Sequence, residues 1–143
     1  MKSGKLIIAT ALLLTASIAF AEDKISIEDT YGTWINADYN ERSEVALIIF
    51  NPDGSAVGYA KDTDTEIYWT AQLTITDSWY DEDGNLWIKR EGNLVSGART
   101  YFYYWLEKYS SDGSVWELVW RGSGYPTEMS LIGGNYGIYY RQE

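Results

Sequence analysis

From residue 31 onward, apolar and polar side chains alternate with a period of two, in runs broken by turn residues about every 8–12 positions. No long stretch places apolar residues at i, i+3, i+4 and i+7, so no amphipathic helix is expected. The clearest run is 65–76. Ile67, Trp69, Ala71, Leu73 and Ile75 share one face, and Tyr68, Thr70, Gln72, Thr74 and Thr76 share the other. Such a strand buries one face and wets the other. The run 98–109 sets Tyr101, Tyr103, Trp105 and Tyr109 against Phe102, Tyr104 and Leu106. In 114–121, Trp116, Leu118 and Trp120 alternate with Val115, Glu117 and Val119, and the pattern leaves open which face turns inward. Further strands are expected at 31–37, 44–50, 55–61, 86–91, 128–132 and 136–141.

The punctuation is equally regular. In Asn51-Pro52-Asp53-Gly54, Pro pre-sets the turn angle and Gly accepts the left-handed position. Residues 81–85, Gly92-Asn93 with Gly97, Ser111-Asp112-Gly113 and the looser stretch 122–126 supply other breaks. Eight or nine antiparallel strands joined mainly by short hairpins describe an up-and-down meander. An all-β meander of this size closes into an eight-stranded barrel, which removes exposed strand edges. Its interior either fills with side chains or holds one small ligand.

Residues 1–21 have another character. Lys2 and Lys5 precede a short apolar run, and Ala19-Phe20-Ala21 forms an A-x-A site before Glu22. This is the pattern of a cleaved signal peptide, leaving residues 22–143 as one domain. A spanning helix needs about 20 strongly apolar residues, and here Thr10, Thr15 and Ser17 interrupt the run. Export without any cysteine points to the periplasm or surroundings of a bacterial cell rather than to a disulfide-stapled secreted domain. No stable membrane insertion is expected after cleavage.

The net charge is −10, and loss of Lys2 and Lys5 makes it more negative. That argues against nucleic acid, whose phosphates are held by Lys and Arg. It permits a basic protein partner, although acidity also keeps an aromatic-rich chain soluble. Histidine and cysteine are both absent, which removes triads using either residue and the usual zinc sites. The acidic turn from Asp81 places Leu86 and Gly92 where a calcium loop needs Gly and Glu, so no metal site is expected. No pair of carboxylates is marked for glycoside chemistry. The chain is read as no enzyme, with no cofactor.

Tyr31-Gly32-Thr33-Trp34, with Arg141 near the end of the last run, resembles the Gly-x-Trp signature of the calycins, the lipocalins and avidins together. The resemblance implies a barrel plugged at one end by Trp34, with Arg141 packed across its ring and Gly32 beside it. An Arg stacked on Trp contributes about 0.5–2 kcal/mol. The first strand and its Pro-Asp-Gly hairpin are also similar to avidins, without biotin-contacting residues that can be carried over. The chain departs from lipocalins in leaving only the Gly- and Pro-containing stretch 122–134 where their helix precedes the last strand.

The 7 Trp and 13 Tyr suit either a self-filled barrel or an aromatic cavity. Tyr101, Tyr103, Trp105, Trp116 and Trp120, on neighbouring runs, are the candidate cavity residues. The leading functional expectation is an exported lipocalin-like barrel that takes a small apolar or aromatic ligand, or serves as a cell-envelope accessory domain. One alternative is an inhibitor or adaptor for a basic protein such as lysozyme, since Ser96-Gly97-Ala98-Arg99 is faintly similar to the Ser-Gly loop of periplasmic lysozyme inhibitors. Another is a small outer-membrane barrel, opposed by the charges of Lys89, Arg90 and Glu91 and by the non-aromatic end Arg141-Gln142-Glu143.

Overall fold

A computed structural model describes residues 24–37, 45–60 and 66–143. The leader and most of the acidic turn at 62–66 lie outside the described residues. Among the described residues eight strands run β1 (Gly32–Asn36), β2 (Val45–Phe50), β3 (Ser55–Ala60), β4 (Ile67–Tyr80), β5 (Leu86–Ser96), β6 (Arg99–Tyr109), β7 (Val115–Arg121) and β8 (Asn135–Arg141). Each pairs antiparallel with the next, and β8 pairs with β1, giving a closed up-and-down barrel. A single 3-10 turn, Ile27–Thr30, precedes β1. Its start is fixed by the Asp29 carboxylate, which accepts the Ser26 backbone N–H at 2.8 Å.

The period-two pattern becomes the inside and outside of the barrel. Trp34, Ile48, Phe50, Ala56, Ala71, Leu73, Leu86, Ile88, Trp105, Tyr109, Trp116 and Leu118 are buried in one core. Their removal from water is the main force for closure, since no disulfide contributes. The hairpins use the expected chemistry. At the Pro52 turn the Asp53 carboxylate accepts the Ser55 N–H at 2.9 Å, and Asn51 N–H donates to the Ser55 carbonyl at 2.9 Å.

Four boundaries differ from the sequence pattern. Residues 128–132 form bends and turns rather than a strand. Gly92-Asn93 lies inside β5 rather than in a connection. A side chain on Gly92 would come within 2.0 Å of the Gln72 carbonyl oxygen, so the glycine permits close approach of β4 instead of marking a turn. β4 runs on to Tyr80, past an irregularity in register between Ile75 and Asp77 that bends the strand without ending it. Ile67, grouped by alternation with the buried face of β4, is 56 % exposed at the strand's start.

Candidate functional site

The two ends of the barrel are built differently. At the closed end, the 3-10 turn lies across the opening and Trp34 fills it. The Trp34 indole N–H donates to the Thr30 carbonyl at 2.9 Å. Arg141 is the direct partner of Trp34 in the β1–β8 ladder, and its guanidinium sits 5.2 Å from the ring centroid. The same guanidinium donates to the Tyr31 carbonyl at 3.0 Å and to the Asp29 carbonyl. Gly32 has φ +126°, and a Cβ there would lie 3.5 Å from Arg141 Nη2, so Gly32 supplies both the backbone angle and the room. Trp34, Arg141 and Gly32 thus occupy one constellation.

Above the plug lies a buried polar group that the sequence reading did not isolate. Arg90 and Glu107 both point into the barrel, with Nε and Oε2 2.8 Å apart. Tyr109 donates its hydroxyl to Glu107 Oε1 at 2.6 Å, and Arg90 lies 4.1 Å from the Phe50 ring centroid. Burial pushes the Glu107 carboxyl up, against the opposing pull of Arg90 and Tyr109. Burial and then the Glu107 charge push the Tyr109 phenol well up. Alternation held the clue. Arg90 continues the inward series Leu86, Ile88, and Glu107 the inward series Tyr103, Trp105, Tyr109. Opposite charges on adjacent inward faces are a buried pair in outline.

The other end is open. A cavity of about 710 Å³ is walled by Trp69, Leu94, Tyr101, Tyr103, Trp120 and Tyr139, and reaches a rim that includes Asn36, Ser96, Leu131 and Asn135. Tyr101, Tyr103 and Trp120 therefore stand where a cavity wall was expected. Tyr101 and Tyr103 stack with centroids 5.7 Å apart. Trp105 and Trp116 do not line it. Trp105 is buried against Trp69 and Trp120, at 5.9 and 6.0 Å between centroids. Trp116 belongs to the closed end, packed on Trp34, Tyr109 and Tyr139. Both follow the inward alternation, but depth along the barrel separates wall from packing.

Trp69 and Tyr139 were not singled out from the sequence, and two glycines explain their placing. A Cβ on Gly58 would come 2.5–2.9 Å from the Trp69 indole, so that ring lies flat over Gly58. A Cβ on Gly137 would come 3.0 Å from the Tyr139 ring and 3.3 Å from its hydroxyl oxygen. Gly137 itself lines the cavity, so the Tyr139 hydroxyl reaches the cavity floor. Among the described residues no Asp, Glu, Lys or Arg lines the cavity. Arg99 is exposed at the mouth end of β6, and the neighbouring Tyr101 pushes its guanidinium pKa up. Among the described residues no group of acidic side chains could hold a metal ion.

A second, shallower cleft of about 330 Å³ borders the plug, between Lys24, Asp29, Asp112 and Arg141. Arg141 and Asp29 are already engaged in closing the barrel, which leaves the open mouth as the candidate site.

The closed eight-stranded meander is compatible with a calycin-like fold. No family model matches the chain, and comparison with curated proteins and with solved structures finds no match.

Proposed function

We propose that this is an exported, lipocalin-like binding barrel of the bacterial cell envelope, which takes one small apolar or aromatic molecule into its open mouth. The observation that carries the reading is the cavity of about 710 Å³, walled by Tyr and Trp at the end opposite the Trp34–Arg141 plug. Small-molecule sites are concave, of a few hundred to about a thousand Å³, mostly apolar, with a few placed polar groups. Binding fits the lining better than catalysis does, because among the described residues it carries neither carboxylate nor amine to move a proton. The outer faces of β5, β6 and β7 carry Lys89, Glu91, Lys108, Glu117 and Arg121, while the interior is mostly apolar around the Arg90–Glu107 pair. A membrane-spanning barrel reverses this arrangement, with an uninterrupted apolar outer band.

The test is a calorimetric and tryptophan-quenching screen of aromatic and lipid-like compounds against the purified protein. Saturable one-to-one binding, weakened by Trp120→Ala, is expected. Flat titrations across the whole set would reject the reading.

A further inference from the structure

The connection from β7 to β8 is a strap, 122–134, that runs over the outside of the sheet before it returns to the mouth. Arg121 holds its root, donating through Nε to the Gly124 carbonyl at 2.9 Å and through Nη2 to the Tyr125 carbonyl at 2.6 Å. Tyr125 then reaches across to earlier strands. Its hydroxyl donates to Glu91 Oε1 on β5 at 3.2 Å and also bonds Thr76 on β4. Its ring meets Tyr104 of β6 with centroids 5.1 Å apart. Leu106 and Val119, ladder partners on the outer face of β6 and β7, are buried, as outward positions are only where chain lies over them.

The far end of the strap is tied too. Gly133 N–H donates to the Ser130 carbonyl at 3.0 Å. Gly134 has φ +154°, and a Cβ there would lie 2.5 Å from the Trp120 carbonyl oxygen, so the chain re-enters the sheet pressed against β7. Between the two ties an arc, 127–132, stands at the lip of the cavity. Leu131 lines that cavity yet is 68 % exposed, and Ile132 beside it is 85 % exposed. Among the described residues these are the two most exposed large apolar side chains.

An apolar pair held in water beside an apolar cavity gains a surface to cover only when the cavity is filled. A seated molecule then makes the inward position of the arc the favoured one, because both side chains leave water against it. A contact made in one state and not in the other is what lets a ligand shift such an equilibrium.

Resting on the proposed binding reading, we infer that 122–134 is an anchored lid, fixed outside the barrel at Tyr125 and pivoting at Gly133-Gly134, whose Leu131–Ile132 tip folds over a bound apolar molecule and slows its escape.

The test uses N-phenyl-1-naphthylamine, an uncharged fluorescent aromatic, with the whole purified protein. In stopped-flow mixing, Leu131→Ser combined with Ile132→Ser should speed release of the probe about 10-fold and leave its association rate within about 3-fold. Melting should stay within about 2 °C of wild type, since both side chains are exposed. Glutamyl endopeptidase reports the arc directly by cutting after Glu128. A saturating probe should slow that cut at least about 5-fold relative to the cut after Glu82, in the exposed turn at the other end of the barrel. Unchanged release from the double variant, or a cut after Glu128 that the probe does not slow relative to Glu82, overturns the lid while the cavity reading stands. A probe that does not bind the wild type overturns the cavity reading and the lid with it. The protease comparison is made on the wild type, so it decides even if the variant folds poorly.

Discussion

The closed end and the open mouth of this barrel use the same kinds of side chain to opposite effect. At the closed end, Trp34 donates to the Thr30 carbonyl, Arg141 donates to two carbonyls, and Arg90, Glu107 and Tyr109 answer one another. At the mouth, Trp69 and Tyr139 border the open cavity instead. The lesson is that aromatic content does not separate packing from binding in a small barrel. What separates them is depth along the barrel, where Trp105 and Trp116 pack among other rings while Tyr101, Tyr103 and Trp120 border the cavity.

The contrast makes removal of a polar group costly at one end and nearly free at the other. The largest loss is expected for Glu107→Ala, which leaves Arg90 buried without its counter-charge. A drop of about 3–5 kcal/mol in urea unfolding is expected. Replacing both partners, as Arg90→Met with Glu107→Leu, should recover most of it. If the double variant were no better than the single one, the pair would not be the source of the loss. Arg141→Ala should cost about 1–3 kcal/mol through lost stacking on Trp34 and two abandoned carbonyls. Wild-type melting would reject the lock.

A smaller effect is expected on acidification. The Asp81 carboxyl is held at about 2, against an ordinary 3.8, chiefly by the Trp87 indole. Ser114 and Ser110 hold Asp112 at about 2 likewise. A lowered folded value favours the ionised folded form. The contribution is therefore complete above the ordinary value and is lost as pH falls toward about 2. The urea midpoint should decline over that window, and Asp81→Asn should flatten the decline; an unchanged slope would remove Asp81 from the account. The smallest effect is expected at the mouth. Tyr139→Phe deletes a hydroxyl at the cavity floor and should leave stability within about 0.5 kcal/mol of wild type. A loss above about 1.5 kcal/mol would mean that the chain itself answers this hydroxyl, erasing the contrast between the two ends.

Much of the fold was legible because period-two burial is a local signal. The strands beginning near Gly32, Ser55, Leu86, Val115 and Asn135 needed only alternation and turn chemistry to be found. The strand proposed at 128–132 failed because a short apolar run reads the same in a loop as in a sheet. Gly92 was misplaced as a break because its role depends on how closely a neighbouring strand approaches. The plug was legible through Gly32, Trp34 and Arg141, whose spacing follows from closure. The mouth was only half legible. Tyr101, Tyr103 and Trp120 were reachable by alternation, but Trp105 and Trp116 share that alternation and lie deeper or at the other end. Depth along the axis depends on strand stagger, which is set by pairings between distant segments. Tyr139 and Trp69 become visible only when the rings are seen lying over Gly137 and Gly58.

The ladder that joins β1 to β8 has a kinetic consequence. Every other pairing connects neighbours in sequence, so seven hairpins can form locally, whereas this seam brings Trp34 beside Arg141 from opposite ends of the domain. Contacts of such separation are the slow part of folding. Until the seam shuts, the chain is a curled sheet with two bare margins, each offering unpaired N–H and C=O groups to any other copy. Arg141 acts at that moment as a latch, gripping carbonyls on the far side of the gap as the margins meet. Losing it would change how the protein fails as well as how readily, steering it from reversible melting toward end-to-end filaments of unshut sheets.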